Sequence, residues 1–197
     1  AINDFNSIKF KKGNINSKIP AVFLDKDGVI NKDKYNFKYQ NPLNFIDGCF
    51  QAIKKINKRG FLSIIVTNQP SVAKGFITIE KLERDFKKLE TILGKNGCYV
   101  DKIYYCPCHP LKGFKGELKK YKRNCSWRKP NNGMLVKAIK DLNIDKNKSF
   151  MIGDTMNDLQ AAKKTNIKFI QVGKKKKFKN TLKFNNLNSA INYIFKI

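Results

Sequence analysis

The sequence predicts an α/β fold: an open parallel sheet with helices on both faces and no large second unit. Two observations lead there. Five short apolar runs recur along the chain, and between them lie stretches whose apolar residues repeat at helical spacing. Strand–helix alternation of this kind produces parallel pairing, with the helices packed on the two faces of the sheet. At 197 residues and 41% hydrophobic, the chain suffices for one core and is short for two.

The elements follow in order. Ala21–Asp25 is the first apolar run. Gly48 to Arg59 carries Ala52, Ile53 and Ile56 on one helical face and stops at Gly60. Phe61–Asn68 is the second strand. Thr78 is placed to cap a helix reaching about Leu93, with Leu82, Phe86 and Leu89 on one side. Val100–Cys106, Ser149–Asp154 and Ile167–Gly173 complete the strands. Met134–Leu142, Asp158–Lys164 and Ser189–Phe195 complete the helices. Residues 1–19 are polar and Asn/Lys-rich and are expected to be an arm or linker, with one domain over 20–197. Two long excursions interrupt that domain, at about 31–45 and 107–130, and loops of this length in a compact domain are often functional.

A formal net charge of +26 raises the question of nucleic acid. Lysines are spread along the whole chain, however, and the one dense run is Lys174–Lys177. The charge is therefore read as favouring a small anionic partner, with nucleic acid the lesser expectation. No apolar run of membrane-spanning length exists, and the start lacks a signal-peptide core, so no membrane and a cytoplasmic location are expected. Five cysteines, an odd number, argue against a disulfide framework. Three of them surround the only histidine, His109, which suggests metal.

Asp25, Thr67 and Asp154 each fall at the C-terminal end of a strand, the edge where open parallel sheets bind ligands. Asp25 and Asp27 flank one residue before Gly28. One carboxylate could attack phosphorus while the other moves the leaving-group proton, with a cation to offset their repulsion. Asp154 and Asp158 add oxygen donors of the type Mg²⁺ prefers, although Asp158 also reads as a helix cap. Thr67, Asn68 and Gln69 offer a hydroxyl and amides to phosphate oxygens. Arg128 and Lys129 supply positive charge.

In order, the chain shows Asp25-Lys-Asp27-Gly-Val-Ile-Asn31, Thr67-Asn-Gln69, Arg128-Lys-Pro130 and Gly153-Asp154. Over roughly Pro20 to Gly173 this resembles the haloacid-dehalogenase-like (HAD-like) phosphatases, which have a Rossmann-like sheet. The likeness is strongest to the heptose bisphosphate and histidinol-phosphate phosphatase group. Phe45-Ile46-Asp47-Gly48, Tyr104-Tyr105-Cys106-Pro107 and Gly133-Met134-Leu135 are further local matches.

The resemblance implies that Asp25 is the nucleophile, with Asp27 as acid and then base. It implies Mg²⁺ held by Asp25, the Asp27 carbonyl and Asp154, phosphoryl oxygens held by Thr67 and Lys129, and Arg128 at a remote part of the substrate. The expected activity is Mg²⁺-dependent hydrolysis of a sugar phosphate. The leading substrate is D-glycero-D-manno-heptose 1,7-bisphosphate, feeding surface polysaccharide such as lipopolysaccharide or capsule. Histidinol phosphate and polynucleotide 3′-phosphate are the alternatives.

Heptose-phosphate members carry a zinc loop of Cys-x-His and Cys-x-Cys before Arg-Lys-Pro. Here those positions are Cys106, Cys108, Cys125 and Trp127, so three can ligate zinc and Trp127 cannot. His109 is the candidate for a fourth ligand. Pro70 and the Lys112–Glu117 segment look like members linked to sugar nucleotidyltransferase domains, a second expected partner.

Overall fold

The computed structural model of the chain describes residues 17–32 and 43–196. Six strands form one fully parallel sheet: β1 (Ala21–Leu24), β2 (Leu62–Asn68), β3 (Lys102–Cys106), β4 (Phe150–Gly153), β5 (Lys168–Val172) and β6 (Leu182–Phe184), in spatial order β3-β2-β1-β4-β5-β6. Five helices connect and cover it: α1 (Cys49–Lys58), α2 (Ile79–Lys95), α3 (Gly133–Asp141), α4 (Met156–Thr165) and α5 (Leu187–Phe195).

Period-2 alternation in the strands builds the two layers. Val22, Leu24, Ile65 and Ile152 face one side, buried with Ile53 and Ile56 of α1, Leu89 of α2 and Ile191 of α5. Their strand neighbours Ala21, Phe23, Ile64, Val66 and Met151 face the other, against Leu135 of α3 and Ala161 and Ala162 of α4. Each fully buried Ile or Leu contributes about 1.5–3 kcal/mol over leaving it in water. Strands apolar on both sides can only be interior, and β1 lies at the centre of the sheet.

Three features differ from the sequence expectation. The sheet has a sixth strand, β6, where Gly173 N donates to Phe184 O at 3.0 Å. Helix α4 begins two residues before Asp158, with Thr155 at its N-cap. Helix α5 starts at Leu187, and its cap is Asn186, whose Oδ1 accepts from Ser189 N at 2.9 Å. Thr78 does cap α2, accepting from Lys81 N at 3.2 Å. Most of the expected N-terminal arm, and residues 33–42 of the first excursion, lie outside the described residues.

Between β3 and β4 the chain jumps back to the centre, so β1 and β4 flank a topological switch point. Asp25 N donates to Ile152 O across that point at 3.0 Å. The ends of β2, β1 and β4 therefore lie side by side.

Candidate active site

The sheet edge brings Asp25, Thr67, Lys129, Asp154 and Asp158 into one buried polar group. Lys129 is at its centre. Its Nζ lies 2.9 Å from Asp25 Oδ1 and 2.6 Å from Asp158 Oδ1, and donates to Val66 O at 2.8 Å. All three ammonium hydrogens are thus directed at protein oxygens. Burial and the neighbouring Asp158 push the Asp25 carboxyl up to about 7, against the opposing pull of Lys129. Lys129 moves the other way from burial's effect: its two carboxylates hold the proton on more firmly than in water. The backbone amide of Lys26 also donates to Asp25 Oδ1, at 2.8 Å, and among the described residues Oδ2 takes no hydrogen bond.

Asp27 is held separately. Gln69 Nε2 donates to its Oδ2 at 3.1 Å, and Lys26 Nζ pairs with its Oδ1. The same Gln69 amide donates to Thr67 Oγ1 at 2.9 Å, which leaves the threonine hydrogen to give to another acceptor. Gln69 therefore ties the second carboxylate to the strand end. The sequence had offered it only as a phosphate donor. Asn68 also departs from that expectation. Its side chain clasps the main chain of Lys129, with Nδ2 to O at 2.9 Å and N to Oδ1 at 3.0 Å, so it positions the lysine.

Asp158 is more than a cap. Besides Lys129 it accepts from Thr155 N at 3.0 Å and Thr155 Oγ1 at 2.5 Å, which locks the first turn of α4 to the site. Asp154 has one partner for Oδ2, Lys175 Nζ at 2.5 Å, while its Oδ1 is buried with no hydrogen-bond partner among the described residues. Burial raises its carboxyl, and Lys175 opposes the rise. Donor oxygens of Asp25, Asp154 and Asp158 lie within 4.8 Å of one another. Gly28, at φ +86°, lets the loop pass close by: a Cβ there would sit 2.6 Å from the Asp154 carboxylate. An orphaned carboxylate oxygen in an all-oxygen donor set fits Mg²⁺.

Comparison with known proteins agrees with this geometry. Residues 121–172 match the family model described as haloacid dehalogenase-like hydrolase. The D-glycero-β-D-manno-heptose-1,7-bisphosphate 7-phosphatase of Photorhabdus laumondii is 41% identical over 144 residues, 73% of this chain and 74% of the relative. The Escherichia coli K12 protein of that name is 38% identical over 149 residues, 76% of each chain. The chain belongs to the haloacid dehalogenase-like phosphatases. An HAD-like phosphatase structure from Mesorhizobium loti superposes with a TM-score of 0.76 at 26% identity, covering 90% of this chain and 88% of that one. A heptose bisphosphate phosphatase from B. bronchiseptica, solved with magnesium and phosphate, has the same fold. Its TM-score is 0.76 at 24% identity, over 90% of this chain and 99% of that one.

The insert of the phosphatase is fastened to the loop that follows β2. Leu118 N donates to Ala73 O at 3.0 Å, and a Cβ on Gly75 would meet the carbonyl oxygen of Gly116 at 1.9 Å. At the base of the insert the sulfurs of Cys106, at the end of β3, and of Cys108 and Cys125 lie within 4.8 Å of one another, and Cys106 and Cys125 are 3.4 Å apart. His109 is not part of that group. Its Nδ1 is buried without a partner among the described residues, and its ring stands edge-on to Phe114 at 5.9 Å. A closed structural zinc site takes four ligands. The described residues bring three, so the expected Cys₃His set is not assembled. Arg128 closes the loop instead, donating from Nη1 to Cys108 O at 2.9 Å and from its backbone N to Cys125 O at 3.0 Å.

Proposed function

We propose that the phosphatase removes the 7-phosphate of D-glycero-β-D-manno-heptose 1,7-bisphosphate and leaves the 1-phosphate, through an aspartyl phosphate on Asp25. The observation that carries this reading is the separation of two neighbouring carboxylates. Asp25 is neutralised by Lys129 at 2.9 Å, whereas Asp27 is held by the Gln69 amide at 3.1 Å. One is prepared to attack and the other to exchange a proton.

Asp25 attacks phosphorus in line, forming the acyl–phosphate bond as the bond to the sugar oxygen breaks. Asp27 gives its proton to that oxygen. It then takes a proton from water, which attacks the phosphorus and releases phosphate and the Asp25 carboxylate. Thr67 donates its hydroxyl hydrogen to a phosphoryl oxygen, while the charge of Lys129 faces the negative charge gathering on the transferring group. Asp25, the Asp27 carbonyl and Asp154 would hold Mg²⁺, which when bound offsets the carboxylates and polarises the phosphoryl group. Three thiols leave the cysteine loop one ligand short of a closed zinc site, so magnesium alone is the proposed cofactor. The names of the relatives favour the heptose substrate, and its product would enter surface-polysaccharide synthesis in the cytoplasm.

Phosphate release measured on the heptose bisphosphate, histidinol phosphate and a 3′-phosphorylated oligonucleotide tests the assignment. The bisphosphate is expected to lead in kcat/KM by about a hundredfold. A lead for either alternative refutes the substrate, and no release from any of them refutes the activity.

A further inference from the structure

The three thiols at the base of the insert are reactive groups that the chemistry above leaves unused. Cys106 and Cys125 stand 3.4 Å apart, sulfur to sulfur, and Cys108 lies within 4.8 Å of both. Cys106 and Cys108 are buried, whereas Cys125 is half-buried. A cavity of 470 Å³ reaches them, lined by all three cysteines and by Tyr121, Arg123 and Trp127. The other two cysteines, Cys49 and Cys98, are buried in the core on the opposite face of the sheet.

The set is not built to close around zinc. Trp127 stands where a fourth ligand is needed, its ring tilted against Tyr104 at 6.3 Å, and an indole offers no lone pair to a metal. His109 turns to Phe114 instead. The thiols are nevertheless held together by main-chain anchors. Cys106 O accepts from Gln69 N at 2.8 Å, and Cys125 O accepts from Arg128 N at 3.0 Å and Asn131 Nδ2 at 3.2 Å. Bonded sulfurs lie about 2 Å apart, so an approach of roughly 1.4 Å joins this pair, within what side-chain rotation supplies. The positive charge of Arg123 on the cavity wall favours the thiolate, which is the form that reacts.

We propose that Cys125 and Cys106 form a reversible oxidation site, at which a peroxide converts the two thiols into a disulfide across the base of the insert. Cys125, the more accessible thiol, attacks one oxygen of the peroxide. The O–O bond breaks, Cys125 becomes a sulfenic acid, and with hydrogen peroxide the thiol proton leaves in a molecule of water. The Cys106 sulfur then attacks the Cys125 sulfur. The S–O bond breaks, the disulfide forms, and the Cys106 proton leaves in a second water. Two thiols lose two electrons in all, and one hydrogen peroxide gains them. Cys108 stays a thiol, and a small dithiol reverses the change by exchange.

The test treats the reduced, desalted protein with hydrogen peroxide in slight excess, then counts free thiols and maps unreduced peptides by mass. Free thiols are expected to fall from five to three, with one Cys106–Cys125 linkage that a dithiol removes. Cys125→Ser should keep its four thiols, reacting at least about tenfold more slowly. In Cys106→Ser, Cys125 should be left as a sulfenic acid that a cyclic diketone traps. The wild-type map decides alone if either variant does not fold. Five thiols that persist in the treated wild type overturn the site, as does a linkage that pairs Cys125 with any other cysteine. Purified protein that carries one zinc per chain and keeps its thiols under peroxide overturns it equally, because the trio then serves a metal.

Discussion

Lys129 concentrates the chemistry into one side chain. It is 2% exposed and touches Asp25, the proposed nucleophile, Asp158, the anchor of α4, and the end of β2. Lys129→Met would leave the Asp25 and Asp158 carboxylates buried without their shared cation. Breaking such a pair costs about 3–5 kcal/mol, less whatever proton uptake by Asp25 relieves. Turnover of p-nitrophenyl phosphate should fall by about 10²–10³. Steady-state rates and thermal melting of the same sample check both. Sequence order made Lys129 legible, because it precedes Pro130 and follows Arg128 at the expected place. Its partner Asp158 was legible only as a cap or metal donor, since nothing in spacing pairs the turn before α3 with the first turn of α4. Gln69 and Asn68 were read as phosphate donors because amides suit that task. Their actual partners arise only in the fold: Asp27 meets Gln69 where the ends of β1 and β2 lie side by side, and the Lys129 backbone meets Asn68 where the Arg128–Lys129 segment reaches β2.

At the scale of elements, the turn after β1 is the most constrained. Gly28 combines φ +86° with a Cβ direction pointing 2.6 Å from the Asp154 carboxylate. Gly28→Ala should cost about 1–3 kcal/mol and displace the oxygen left for a cation. Isothermal titration of the variant with Mg²⁺ should show affinity at least about tenfold below wild type, and unchanged affinity would detach the turn from the metal site. The five apolar strands were legible from their apolar runs, fully buried in β1, nearly so in β2 and β4, and partly exposed in β5 and the edge strand β3. Strand β6 was not: Leu182, Lys183 and Phe184 make three residues in a Lys/Asn-rich stretch, and Leu182 is 45% exposed. Edge pairing, not apolar burial, makes it a strand. The starts of α4 and α5 were missed because Thr155 and Asn186 cap from polar stretches; α4 begins with the exposed Met156, and the apolar Leu187 that opens α5 is followed by polar Asn188 and Ser189.

Across the whole molecule, a net charge of +26 surrounds an acidic centre. In the proposed mechanism the field draws in anionic substrates while the buried carboxylates would bind the cation and carry out the chemistry. Raising ionic strength from 0.01 to 0.3 M should lower kcat/KM for the bisphosphate by roughly tenfold, mostly through encounter. Stopped-flow or initial-rate series in a monovalent salt would measure it. A parallel sheet covered on both faces was implied by alternation, whereas its strand order, its switch point and the pairing of the insert with the loop after β2 were hidden in the fold. The proposed mechanism turns on Asp25 as the phosphorylated residue, and one experiment addresses it directly. Asp27→Asn, mixed with Mg²⁺ and p-nitrophenyl phosphate, can expel a leaving group that needs little protonation but lacks the base for hydrolysis. Acid quenching and peptide mass mapping should then find one phosphoryl group on Asp25. Phosphorylation at another residue, or full activity in Asp25→Asn, would contradict it.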